Sequence, residues 1–184
     1  YDQAIHWTDR NVGAVADAVR ALGLEDRTLI VIASDHGEAF YEHGQFLHRP
    51  VLYNEVLRIP LVMKWPADTD GYNPVVDAPV SLVDLGPTLL DGLGIDDPRA
   101  RFQGVSLLPT IFEGLTPNRA VYATTAPSSE TGRRGLALQR AQTKIIRSGE
   151  GAPQLYVLSL DPQEQQDKAR SEPVRTQLLL QELL

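Results

Sequence analysis

The chain has 184 residues, of which 42% are hydrophobic and 22% charged, so it suits one folded domain or part of a larger one. Its 17 Lys and Arg oppose 24 Asp and Glu; the net charge of -7 argues against nucleic acid as a partner, because phosphate binding needs a basic face. The sequence has no cysteine, which excludes disulfides, thiolate metal sites and cysteine nucleophiles. It also has no apolar run long enough for a membrane helix and no signal-peptide pattern.

The first part of the chain predicts a helix followed by a strand. Apolar residues recur at three- and four-residue steps over about residues 4–22, and Gly23 is placed to end this helix in a left-handed conformation. The first residue is Tyr1 rather than an initiator Met, so we expect the chain to begin inside a longer protein. Residues 28–33 are almost continuously apolar and β-branched, which predicts a strand buried on both faces of a parallel sheet.

The next patterns predict a second strand, a surface loop and a short helix. The strand covers about residues 59–65. The loop covers residues 66–79, which are rich in Asp, Gly, Asn and Pro, and the helix covers residues 83–92. We expect an α/β fold in which the helices at 4–22 and 83–92 pack on a layer containing strands at 28–34 and 59–65.

After Asn118 the pattern changes to short strand-like runs separated by polar turns. Such runs predict an antiparallel sheet rather than further βαβ units, and they cover residues 120–124, 135–140, 143–147 and 154–158. Residues 173–184 predict a closing helix with Pro173 at an early position. We therefore expect residues 1–117 to form the α/β portion and residues 118–184 a small antiparallel C-terminal subdomain with its helix.

An acid and an imidazole stand side by side where the first predicted strand ends. In α/β sheets ligands bind beyond the carboxyl ends of strands, which is where Asp35 and His36 fall. A carboxylate oxygen and a neutral imidazole nitrogen can together bind a divalent cation. On residue types alone, a turn cap at Asp35 and an ordinary polar role for His36 are the simpler interpretation.

Several short sequence motifs, in the order in which the family carries them, resemble the sulfatase family of the alkaline-phosphatase superfamily. These motifs are Ser34-Asp35-His36-Gly37-Glu38, Glu42-His43-Gly44, Leu52 to Val62, Val80 to Leu90, Phe102 to Pro109, Leu155-Tyr156, and Asp161-Pro162 with Glu164. The resemblance covers nearly the whole chain. It implies an alkaline-phosphatase-like three-layer α/β/α portion followed by a small antiparallel sheet and helix.

The resemblance also implies site residues. Asp35 and His36 align with ligands of the family's active-site divalent metal, for which Ca²⁺ is favoured over Mg²⁺, Mn²⁺ and Zn²⁺. His48 stands where many relatives carry a Lys or His that contacts the transferred group, so it is the candidate catalytic residue and, with Arg49 after it, a candidate substrate-binding residue. His43 is a further candidate for substrate binding, with a structural role in its turn as the alternative.

One part of the family pattern is absent. The family's nucleophile is a formylglycine or, in a transferase branch, a Thr, and it lies with paired acidic ligands in an N-terminal half; no such string occurs here. The resemblance implies the C-terminal part of a metal-dependent hydrolase of sulfate esters, whose partner is the missing N-terminal half of the same protein. The isolated chain is then expected to be inactive.

Other functions stay open from the sequence. A phosphodiesterase, a phosphonate monoester hydrolase or a phosphoglycerol transferase of the same superfamily would carry the same metal pair, and the chain could instead be a folded domain without catalysis. Neither the compartment nor the oligomeric state follows from the sequence.

Overall fold

The computed structural model describes residues 1–97, 99–127 and 132–184. Its helices and strands, in chain order, are α1 (Asp2–Ala21), β1 (Ile30–Ala33), β2 (Ala39–Phe40), β3 (Phe46–Leu47), α2 (Asn54–Leu57), β4 (Leu61–Lys64), α3 (Leu85–Gly92), α4 (Leu108–Glu113), β5 (Val121–Thr124), β6 (Gly135–Arg140), β7 (Thr143–Ser148), β8 (Gln154–Val157) and α5 (Pro173–Leu183). In the described part of the chain, no helix is both long and apolar enough to span a bilayer.

The chain divides into two compact units. The first consists of Tyr1–Ala33 and Pro60–Tyr72, and the second of Ser34–Ile59 and Asn73–Leu184. Every candidate site residue therefore belongs to the second unit. The predicted subdomain boundary after residue 117 stays a prediction.

The first unit contains α1 and the pair of strands β1 and β4. The helix ends at Ala21, and Gly23 has a φ of 66°, as its position predicted. The half-buried side chains of α1 are Val12, Ala16 and Val19, one helical face. The packing of this helix and of α3 on the strands stays a prediction.

The predicted environment of the first strand is wrong. β1 pairs antiparallel with β4, with Ile30 opposite Lys64 and Ala33 opposite Leu61, rather than joining a parallel neighbour. Ile30 and Val31 are half-buried, whereas Ile32 and Ala33 are exposed. An apolar β-branched run indicates a strand, but it does not specify the direction of the neighbouring strand.

The second unit is built on a four-stranded antiparallel sheet in the order β5-β6-β7-β8, which confirms the predicted antiparallel strands. One face packs on α5, and its buried cluster is Ala120, Leu138, Ile145, Leu155 and Leu183. The opposite face buries Ala137, Ile146 and Tyr156 against Leu52, which lies just before α2. The sheet therefore supports the chain segment that follows the candidate site.

The predicted short helix is present as α3, preceded by a 3-10 turn at Leu82–Asp84. The buried Asp84 carboxylate accepts hydrogen bonds from the backbone N–H groups of Ser81, at 2.8 Å, and Val105, at 3.0 Å, and pairs with Arg119. With the Ser81 side chain, Asp84 thus forms a capping box on the 3-10 turn that leads into α3.

Three short elements between β1 and β4 were not predicted. β2 and β3 form a short hairpin with Ala39 opposite Leu47 and Phe40 opposite Phe46, and α2 is one turn long. The hairpin strands and this helix are too short to show the apolar periodicity by which strands and helices are recognised in a sequence. The hairpin matters because it connects the Asp35-His36 pair to His48.

Candidate active site

Asp35 and His36 lie in a turn that fixes both side chains. The Ser34 hydroxyl donates a hydrogen bond to the His36 carbonyl at 2.6 Å, and the His36 N–H donates to Asp35 Oδ1 at 3.0 Å. The Asp35 side chain is 87% exposed and that of His36 46%. The pair is therefore held by local backbone contacts while its outer atoms remain accessible.

The two side chains present ligand atoms to the same place. His36 Nδ1 lies 2.8 Å from the Gly37 carbonyl, which can only accept a hydrogen bond, so Nδ1 carries the hydrogen. In the neutral form of such a ring, Nε2 has a free lone pair. Nε2 lies 3.7 Å from Asp35 Oδ2. The backbone N–H groups of Asp35 and His36 hold the pKa of the Asp35 carboxyl below its ordinary value. An anionic oxygen beside a free imidazole nitrogen fits two neighbouring ligands of a divalent cation.

These two residues supply only part of a coordination shell. Among the described residues, no group of three or more His, Cys, Asp or Glu side chains could hold a metal ion. Hard cations take about six or more ligands, several of which can be water. Metal binding at Asp35 and His36 therefore stays a prediction that needs ligands from elsewhere.

His48 lies beside this pair. Its ring centroid is 5.0 Å from that of His36, with an interplanar angle of 30°, and its side chain is 62% exposed. His48 Nδ1 lies 3.6 Å from Glu38 Oε1, an electrostatic contact longer than a hydrogen bond. Arg49, also exposed, follows directly. The β2–β3 hairpin, whose open end carries Glu38 and His48, thus brings the predicted catalytic histidine to the predicted metal ligands.

His43 lies in a different environment from the other candidates. Its side chain is 12% exposed and its ring stacks on Tyr53 with centroids 3.7 Å apart. Nδ1 lies 2.8 Å from Glu55 Oε1, and Nε2 lies 2.9 Å from the Glu164 carbonyl. Substrate binding by His43 stays a prediction, and the contacts of both ring nitrogens favour the structural alternative.

The contacts of His43 give it a pH-dependent contribution to stability. Burial lowers the pKa of the imidazole, but the hydrogen bonds to the Glu164 carbonyl and the Glu55 carboxylate outweigh burial, and the pKa is raised. The Glu164 carboxylate also raises this pKa, and the Gln165 amide nitrogen lies 3.3 Å from His43 Nε2. With a folded pKa above the unfolded value of about 6.5, the stabilisation is complete below that value and is lost as the pH rises through the folded pKa.

We expect the free energy of opening of the four-stranded sheet to increase as the pH falls from about 8.5 to 6, because protonated His43 donates two hydrogen bonds. Amide hydrogen exchange of β7 and β8, corrected for the intrinsic pH dependence, measures this. His43→Gln, which cannot take up the proton, should flatten the dependence. Parallel pH profiles for the two proteins would contradict the assignment.

Gly37 is required by a close backbone approach. Its N–H donates to the Val56 carbonyl at 2.8 Å, and a Cβ built on it would lie 2.2 Å from the Glu55 carbonyl oxygen. Real carbon and oxygen atoms do not approach so closely, so a side chain here must push the Asp35-His36 turn away from α2.

Gly37→Ala should therefore lower the free energy of unfolding by about 1–3 kcal/mol, the usual range for overpacking. Urea unfolding followed by circular dichroism measures the change. Gly13→Ala is the matched control: a Cβ there meets nothing within 4 Å, and alanine favours its helix. If Gly37→Ala lowers the free energy of unfolding no more than Gly13→Ala does, the backbone around Gly37 can move enough to accept a side chain.

Several contacts of the site were not predicted. Glu38 is part of the motif Ser34-Asp35-His36-Gly37-Glu38, but nothing in the sequence indicated a contact between its side chain and His48. Lys144 stands in a predicted strand directly before Ile145 and Ile146, which could have identified it as a buried charge needing a partner. Its partner Glu164, at 2.7 Å, follows after β8, and no local pattern connects the two residues.

Comparisons with known proteins identify relatives of nearly the whole chain. The model of the Sulfatase family matches residues 1–95. Arylsulfatase K of Bos taurus is 34% identical over 187 residues, covering 96% of this chain and 34% of its own length. Arylsulfatase K of Homo sapiens is 33% identical over 186 residues, with 96% and 34% covered. The chain thus spans about a third of the length of these curated relatives.

Solved structures show the same fold. The structure of BT4656 in complex with its substrate D-glucosamine-2-N,6-O-disulfate matches with a TM-score of 0.74 and 27% identity, covering 95% of this chain and 37% of that one. The phosphonate monoester hydrolase of Agrobacterium radiobacter matches with a TM-score of 0.78 and 24% identity, covering 95% and 38%. These matches confirm the predicted alkaline-phosphatase-like α/β fold.

Proposed function

This chain belongs to the sulfatase family, and on that premise we propose that it carries part of the active site of a metal-dependent hydrolase of sulfate esters. The observation that supports this most directly is the convergence of Asp35 Oδ2, His36 Nε2 and the His48 ring at one exposed place. One anionic ligand, one neutral ligand and one potential acid lie together there.

Each residue has a role in this proposal. Asp35 and His36 bind the divalent cation, Ca²⁺ by preference, with Mg²⁺, Mn²⁺ or Zn²⁺ as alternatives. When bound, such a cation polarises the ester and stabilises the charge that develops in the transition state. His48 contacts an oxygen of the transferred group and donates a proton to the leaving oxygen, while Arg49 adds positive charge for the sulfate. His43 contributes mainly by holding its own segment.

The proposal requires residues outside this chain. The nucleophile, a formylglycine or a Thr, and the remaining metal ligands would come from an N-terminal part of the same protein. In support, the chain covers only about a third of arylsulfatase K, and no cysteine is present to supply a formylglycine. A folded domain without catalysis is the alternative if no such part exists.

A phosphonate monoester or phosphodiester is the second candidate substrate class. The fold match to a phosphonate monoester hydrolase favours it, and sulfate and phosphate groups present similar tetrahedral oxygens to the same cations. Arg and His do not distinguish them by geometry alone.

The test compares the 184-residue chain with the full-length protein. We expect the full-length protein to hydrolyse nitrophenyl sulfate faster than bis-nitrophenyl phosphate, and the isolated chain to turn over neither, because losing a nucleophile lowers kcat by orders of magnitude. Robust turnover by the isolated chain would contradict the division of the site. Preference for the phosphate ester would select the second candidate, and an inactive full-length protein would favour the non-catalytic domain.

A further inference from the structure

The segment 43–54 carries His48 and Arg49, and its two ends lie against each other. The His43 ring stacks on the Tyr53 ring with centroids 3.7 Å apart and an angle of 3°. The segment is therefore a loop closed at its base. Whatever holds that base also sets where the two candidate substrate-binding residues lie.

Glu164, in the chain after β8, contacts both ends of this loop. Its backbone carbonyl accepts a hydrogen bond from His43 Nε2 at 2.9 Å, and its side-chain Oε2 accepts one from the Asn54 backbone N–H at 2.6 Å. The Glu164 side chain is fully buried. A single residue from the C-terminal part of the chain thus connects the start and the end of the loop.

Glu164 is itself fixed to the sheet. Its φ of 56° lies in the left-handed region that non-glycine residues rarely adopt, so the surrounding contacts must impose it. Lys144, buried in the interior strand β7, places Nζ 2.7 Å from Glu164 Oε1 and donates to Asn54 Oδ1 at 2.9 Å. The network therefore runs from the sheet through Glu164 to the loop.

We propose that Glu164 is a positioning residue that fixes the segment 43–54, and with it His48 and Arg49, on the antiparallel sheet. A buried ion pair is weak support for stability, since apolar residues of the same volume stabilise a core as well. A buried polar network that joins the sheet to the loop suits the task of holding a functional loop in one geometry. The consequence for turnover rests on the function proposed above, whereas the immobilisation of the loop does not.

The first test measures the loop directly. In this chain, Glu164→Gln should accelerate amide hydrogen exchange within residues 43–54 about 10-fold, and Glu164→Ala more, while β5 and β6 change less than about 2-fold. Glu172→Gln, which alters an exposed pair with Arg175 in the same unit, is the matched control. Equal acceleration in loop and sheet, or none in the loop, would overturn the proposal. If Glu164→Ala does not fold, the glutamine variant alone decides.

The second test links the loop to turnover in the full-length protein. Glu164→Gln should lower kcat about 10-fold with little change in KM, and should have almost no further effect when His48 is already alanine. An equal loss in both backgrounds would show a general structural role and overturn the positioning role. If the full-length protein hydrolyses no ester, the proposed function fails, and the exchange measurement still decides the role of Glu164.

Discussion

Replacing His48 by alanine in the full-length protein is expected to lower kcat for a sulfate ester by about 100- to 1,000-fold, the range for removing a positioned acid or oxyanion donor. The expectation rests on the His48 ring lying 5.0 Å from His36, within reach of any group bound between them. Because the side chain is 62% exposed, the fold should survive the change. Steady-state kinetics with nitrophenyl sulfate and a circular dichroism spectrum measure the two effects.

The matched control is His6→Ala, which removes an exposed histidine from α1. We expect it to leave kcat unchanged. Unchanged kinetics for His48→Ala would assign His48 an ordinary loop role, and Arg49 would become the next candidate for contact with the transferred group. Loss of activity together with loss of the folded spectrum would contradict the expected tolerance of the site to this substitution.

The sequence predicts those parts of the fold that local patterns determine. Residues 2–21 form a helix because apolar side chains repeat along one face. β6 and β7 follow from short strand-like runs separated by a polar turn. The antiparallel pairing of β1 with β4 was not predictable in this way, since it depends on how the chain between them returns. Strand direction is a property of the connection, and the strand's own residues do not encode it.

The same limit applies to the site. Asp35 and His36 are adjacent in sequence, so a single turn suffices to place their ligand atoms together. His48 joins them through a hairpin of two-residue strands that no periodicity reveals. Glu164 meets Asn54 across a long stretch of chain, and only the folded sheet brings them together. Long-range contacts with Glu164 also determine the environment of His43, for which the sequence left substrate binding and a structural role as alternatives.

The geometry of the Asp35-His36 pair makes the loss of the carboxylate charge the most direct test of metal binding. Asn keeps the shape of Asp, and its amide oxygen can still accept the hydrogen bond that the His36 N–H donates. What it removes is the negative charge that faces His36 Nε2 at 3.7 Å. A structural role as a turn cap should therefore survive the substitution, whereas binding of a hard cation should not.

Asp35→Asn in the full-length protein is expected to reduce the bound divalent metal well below one ion per molecule and to lower kcat at least about 100-fold, since even outer-shell partners of metal ligands cost 10- to 100-fold. Plasma emission spectroscopy of the dialysed protein measures the metal independently of activity. Asp77→Asn, at an exposed loop position of the same unit, is the matched control and should change neither quantity. Full metal content in the Asp35 variant would remove the case for this site, because the only charged ligand that this pair offers would then be dispensable.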